Sequence, residues 1–203
     1  SKVADMTCMF AFCNKLKNLD VSRFNTSRVT NMSGMFAQCY ELKNLDVSGF
    51  DTRKVTDMSY MFQECSGVSE VNTDNFDTGK VAKMNGMFLE CTKLQKLNVS
   101  SFDTSNVKEM SGMFYGCQSL KELDTSRFVT DKISDITDLF EGCKGLGNIE
   151  ILNKFEVDKR INHRNYAGNN IEIICENFLS YKDNRCIDNA QKSRTMLIEE
   201  LQI

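Results

Sequence analysis

Nine cysteines and a single histidine carry most of the latent chemistry in this chain of 203 residues. A thiol can serve as nucleophile, metal ligand or half of a disulfide, and spacing decides among these. Cys13, Cys39, Cys65, Cys91, Cys117 and Cys143 each follow the last by 26 residues. Zinc sites need close pairs such as Cys-x-x-Cys, and the chain has none. One thiol per repeated unit reads instead as a small apolar side chain, free and buried, forming a structural ladder in a repeated core. Disulfides between successive rungs would destroy the equivalence of those rungs. Cys8 shares a register position with Gly34, Tyr60, Gly86, Gly112 and Asp138 and is expected to face solvent. Cys175 and Cys186 form a possible disulfide if the compartment is oxidising. His163, in Asn162-His-Arg-Asn-Tyr166, has no motif around it and reads as a loop residue. The repeats supply no Gly-rich phosphate loop, no Ser-His-Asp set and no metal-spaced carboxylates. No catalytic residue, metal site or cofactor is assigned, and the chain is read as a non-enzyme.

A second register row pairs a turn former with threonine: Asn25-Thr26, Asp51-Thr52, Asp77-Thr78, Asp103-Thr104 and Val129-Thr130. These side chains can satisfy backbone donors in turns. A stacked Asp row could instead take Ca²⁺, although Asn25 and Val129 interrupt it and the supporting Gly-rich motif is absent.

The elements that must position these residues follow from the same period. The unit is Cys-x-x-Leu-x-x-Leu-x-Val-x-x-Phe-Asp-Thr-x-x-Val-x-x-Met-x-x-Met-Phe-x-x-Cys, and Cys39 to Cys65 is a clear copy. Leu45 and Val47 alternate with polar residues, which predicts a short strand. Val55, Met58, Met61, Phe62 and Cys65 stand three and four apart, which predicts a short helix with one inward face. Neither element buries its apolar side alone, so the turns must stack. The expected fold is an α/β repeat solenoid with a parallel strand ladder on one face and short helices on the other.

The Leu-x-x-Leu-x-Val strand followed by an inward Phe resembles the leucine-rich-repeat signature. The added Met-Phe-x-x-Cys resembles the BspA-type leucine-rich repeats of bacterial surface proteins, over roughly Val3 to Ile151. The resemblance implies a leucine-rich-repeat coil in a microbial surface protein used for adhesion or recognition. Val68 and Val71 replace leucines in the third unit, Thr73 and Thr125 take the Val position and Leu139 a Met position. In the sixth, Phe155 comes one residue late and no Met-Phe-x-x-Cys follows.

The solenoid is therefore placed at 1–155 and a helical C-terminal cap at 156–203. Ile171, Ile174, Phe178 and Tyr181, then Ile187, Ala190, Leu197 and Leu201, follow helical steps. The cap would close the open end of the stack; the alternative is the beginning of a second functional domain. Ser1 to Cys13 reads as the back half of a repeat, which suggests a piece of a longer chain.

Outward strand positions form the candidate ligand-binding face. Asn18, Asn44, Glu70, Lys96 and Glu122 open it. Asp20, Asp46, Asn72, Asn98 and Asp124 follow, and then Ser22, Ser48, Asp74, Ser100 and Ser126. Arg23 and Arg127 flank it and are the best anchors. Net charge is −3 with both signs mixed, so nucleic acid is not an expected partner. No apolar run of about 18 residues is present for membrane insertion. The expected function is recognition of a host or neighbouring-cell protein by a monomer at the cell surface or secreted. A passive spacer, or the targeting domain of an intracellular effector, is the alternative. Proline is absent, so turns must rely on Asn, Asp, Ser, Thr and Gly.

Overall fold

The computed structural model describes residues 2–146. The helical cap, the boundary at 155, the sixth strand beyond Leu146 and the Cys175–Cys186 pair lie outside them. Four successive coils each open with a two-residue strand: β1 (Asn18–Leu19), β2 (Asn44–Leu45), β3 (Glu70–Val71) and β4 (Lys96–Leu97). β1 pairs in parallel with β2, Asn18 opposite Asn44 and Leu19 opposite Leu45. β3 pairs likewise with β4, Glu70 opposite Lys96 and Val71 opposite Leu97. Every pairing joins residues one period apart, so the chain is a solenoid of stacked coils. Leu45 and Val47 are buried on either side of exposed Asp46, as alternation requires. The strand ends at once because Asp46 Oδ1 accepts the N–H of Ser48 at 2.9 Å, bending the backbone into an Asx turn.

Three such corners shape the coil. Asp20, Asp46, Asn72, Asn98 and Asp124 each accept the N–H two residues on. So do Asn25, Asp51, Asp77 and Asp103 at the second corner. At the third corner Asp5, Asn31, Asp57 and Asp135 do the same. Each bond needs a backbone donor, which proline lacks, so proline is barred from the position two residues past each corner.

The expected short helices are absent among the described residues. The segment after each Asp-Thr pair is a run of tight turns. The N–H groups of Met58, Tyr60, Phe62 and Glu64 leave the coil and donate to the carbonyls of Lys83, Asn85, Met87 and Leu89, at 2.6 to 3.0 Å. The alternate N–H groups, of Met61, Gln63 and Cys65, fold back three residues to Met58, Tyr60 and Phe62. Tyr60 and Glu64 take φ of +60° and +54°, as the third residue of a type II turn does. A helix keeps every such bond within itself and is about 10 Å across, twice the spacing of bonded strands. Turns bonded coil to coil match the strand side instead. A second parallel ladder accordingly runs through Asp5, Asn31, Asp57, Lys83, Glu109 and Asp135.

Cys8 is a further correction. It is buried, disulfide-bonded and packed with Ala11 and Ala37. Its register position has positive φ in every described coil. The ring of Tyr60 lies over Gly86, where an added Cβ would stand 2.5 Å from Tyr60 Cδ1, so that glycine is required by space as well as by its φ of +55°.

The core between the two ladders is assembled from register files. Met32, Met58, Met84 and Met110 are wholly buried, as are Met35, Met61, Met87 and Met113. Phe10, Phe36, Phe62, Phe88, Phe114 and Phe140 stack with centroids 5.4 to 5.9 Å apart and planes within 11°. Such offset stacks contribute about 0.5–1.5 kcal/mol per pair beyond burial. Among the described residues six cysteines are outside any disulfide: Cys39, Cys65, Cys91, Cys117 and Cys143 are buried, and Cys13 in the first coil is half-buried.

Candidate functional site

Two sets of side chains bear on function: the buried polar files and the exposed strand face. Each buried thiol donates to the carbonyl of the phenylalanine 29 residues earlier: Cys39 to Phe10, Cys65 to Phe36, Cys91 to Phe62, Cys117 to Phe88 and Cys143 to Phe114, at 3.0 to 3.2 Å. Burial first, and neighbouring thiols second, push Cys91 and Cys117 well above the usual thiol range, and burial pushes Cys143 up to about 12. A protonated, enclosed thiol is neither nucleophile nor metal ligand. Among the described residues no group of three or more His, Cys, Asp or Glu is placed to hold a metal ion. His163 lies outside those residues.

Sequence reasoning treated the Asp-Thr pairs as local turn formers, which is half of their role. Thr52 Oγ1 donates to the Asp77 carbonyl at 2.9 Å and accepts the Asp77 N–H at 2.8 Å. Thr26, Thr78 and Thr104 make the same double bond to Asp51, Asp103 and Val129. The legible signal was threonine in all five units while its Asp partner varied.

The strand-face residues are arranged as three parallel columns. Asn18, Asn44, Glu70, Lys96 and Glu122 are exposed in the first, and Asn44 Nδ2 donates to Asn18 Oδ1 at 3.0 Å. The second column is exposed too, but one side-chain oxygen of each residue is held in its Asx turn. Hydrogen bonds from Ser22 and Ser48 hold the Asp20 and Asp46 carboxyls below the usual range. In the third, Ser22, Asp74 and Ser126 are exposed whereas Ser48 and Ser100 are half-buried. Of the two expected anchors, Arg127 Nη1 donates to the Ser100 carbonyl at 3.3 Å, pinned to the coil below, and Arg23 is exposed beside Asp20.

A groove of 590 Å³ crosses this face at β3, β4 and the following coil. Its floor includes Val71, Leu97 and Leu123; its lips carry Glu70, Asn72, Asp74, Gln95, Lys96, Asn98, Lys121, Glu122 and Asp124. Seven residues of the predicted face are thereby brought together: Glu70, Asn72, Asp74, Lys96, Asn98, Glu122 and Asp124. Those of the first two coils lie outside the groove, as do Ser100, Ser126 and Arg127, and Gln95 and Lys121 are lining residues that the alternation argument missed.

Residues 1–73 and 66–173 match the family described as Mycoplasma protein of unknown function, DUF285. No curated protein matches. Among solved structures, a leucine-rich repeat protein of T. pallidum is similar at 16% identity, covering 79% of each chain with a TM-score of 0.47.

Proposed function

The chain belongs to the Mycoplasma family DUF285, and on that premise we propose that it is a non-catalytic recognition module that binds another protein through its strand face. The observation that carries this reading is the groove over β3 and β4, which combines an apolar floor with polar lips. Protein recognition uses apolar centres and polar rims of this kind. The buried thiols, protonated and committed to carbonyls, argue against chemistry on the register cysteines. The resemblance to BspA-type repeats extends the reading to adhesion at a microbial cell surface, by a chain that is secreted or surface-held and acts as a monomer. No helix of the described residues is long and apolar enough to cross a membrane.

The test uses Glu70→Lys and Glu122→Lys together, because these side chains sit on the groove lip at exposed positions. Fluorescently labelled chain is titrated onto cultured animal cells and read by flow cytometry. Saturable binding that the double variant weakens at unchanged melting temperature supports the reading; binding that the variant leaves untouched removes this face from it. A second reading, a passive spacer, is favoured by the uniform bonding of coil to coil. In that case deletion of two whole coils would leave attachment intact.

A further inference from the structure

We infer that Asn85-Gly86 is a latent deamidation site that the stacking of the third and fourth coils keeps closed, so that conversion of its amide records the opening of that joint. It is the one Asn-Gly pair in the 203 residues. Two separate demands of the fold create it. Gly86 is required by its φ of +55° and by the Tyr60 ring, which occupies the space of a Cβ. The residue before it shares a register position with Thr7, Ser33, Ser59, Ser111 and Thr137, and among these only Asn85 offers an amide. An amide followed by glycine is open to attack because no side chain shields the next backbone nitrogen. In that reaction the Gly86 nitrogen loses its proton and bonds to Asn85 Cγ, the Cγ–Nδ2 bond breaks, and ammonia leaves. Water then opens the succinimide at either carbonyl, giving aspartate or isoaspartate, with no oxidant or cofactor required.

In the stacked chain the reacting groups are engaged by the fourth coil. Gly86 N–H donates to the Ser111 carbonyl at 2.8 Å, which keeps the nucleophile protonated and directed at the neighbouring coil. Asn85 Nδ2, the leaving group, donates to Glu109 Oε2 at 2.8 Å, and Asn85 Oδ1 accepts the Ser111 N–H at 3.2 Å. Attack therefore needs this pair of coils to part. The product does not restack as the parent does. Aspartate brings a second carboxylate to hydrogen-bond distance of Glu109, and Lys83 Nζ, 3.4 Å from Glu109 Oε1, offsets only part of the repulsion. Isoaspartate lengthens the backbone by a methylene and draws Gly86 off its carbonyl.

The full chain is held in mildly alkaline buffer, folded in one series and unfolded in urea in the other. The Asn85 peptide is followed by mass spectrometry after digestion, with isoaspartate resolved by chromatography. Conversion in urea is expected to outpace conversion in the folded chain by more than about tenfold, and that slowing should match the protection of the Gly86 amide against hydrogen exchange, since both need the same opening. Thr78→Val, which removes the hydroxyl bonds between the third and fourth coils, should speed conversion in the folded chain several-fold. Thr26→Val removes the equivalent bonds between the first and second coils and should change it less than about twofold. Conversion in the folded chain at the rate seen in urea overturns the inference, as does a rate in Thr78→Val no higher than in Thr26→Val. If either variant fails to fold, the parent decides alone: a slowing that disagrees with the exchange protection of Gly86 overturns the gate, and agreement upholds it.

Discussion

Replacing Thr78 by valine removes the hydroxyl that joins the third and fourth coils while keeping the side chain's volume and branching. Thr78 is 1% exposed. Its Oγ1 donates to the Asp103 carbonyl at 2.9 Å and accepts the Asp103 N–H at 2.7 Å. The valine leaves that donor and that acceptor facing a methyl group. Each polar group stranded in full burial costs about 1–3 kcal/mol, and these bonds are part-buried, so the pair costs about 2–4 kcal/mol, the lower part of the roughly 2–6 kcal/mol sum. Serine keeps both bonds and loses one methyl, for about 1 kcal/mol. A purely apolar role for this file predicts the reverse order, because valine is the better core residue. Urea unfolding followed by circular dichroism should show the midpoint of Thr78→Val falling by about 1 M, with Thr78→Ser close to the parent. The Asp103 amide should exchange its hydrogen faster in the valine variant alone. A valine variant as stable as the serine variant would refute the argument that threonine bonds, and not merely apolar packing, hold coil to coil.

Two further outcomes follow from the buried ionisable groups. Iodoacetamide at pH 8 should leave Cys65, Cys91 and Cys117 unmodified in the native chain and modify them in urea, as read by mass spectrometry, since burial holds all three well above the usual thiol range; native labelling of Cys91 at the rate of a free thiol would contradict the ladder. Burial, and then the charge of Glu64, raise the Glu90 carboxyl above its ordinary value. A raised acid destabilises the fold once ionised: the cost is absent below about pH 4.3, the unfolded value, and complete above the folded one. Glu90→Gln should therefore melt higher than the parent near pH 7, with the difference vanishing near pH 4; a gain independent of pH would point to packing instead.

The 26-residue period, the strand positions and the inward files of Leu, Val, Met, Phe and Cys were legible because each is a statement about one register repeated five times. The helix was misread because apolar positions three and four apart suit a run of three-residue turns as well as a helical face. A contrary signal was present: Gly112 and Gly116 stand four apart within one such segment, and Gly34 and Gly86 share a column with Gly112. Glycine recurring inside an apolar-periodic stretch argues for left-handed backbone and against helix. Cys8 was assigned to solvent by the same error, since a helix would have turned that column outward.

The candidate site divides along the same line. Alternation in the strands identified the outward residues one coil at a time, since it depends only on neighbours two apart along the chain. The groove and its apolar floor exist only between coils, where Val71, Leu97 and Leu123 are brought together from separate turns of the solenoid. Composition and period determined that this chain stacks coils and which residues face inward. Tertiary structure decided where the backbone N–H groups go, because a carbonyl 25 residues away becomes a better partner than one four residues back only when a neighbouring coil is already in place to offer it.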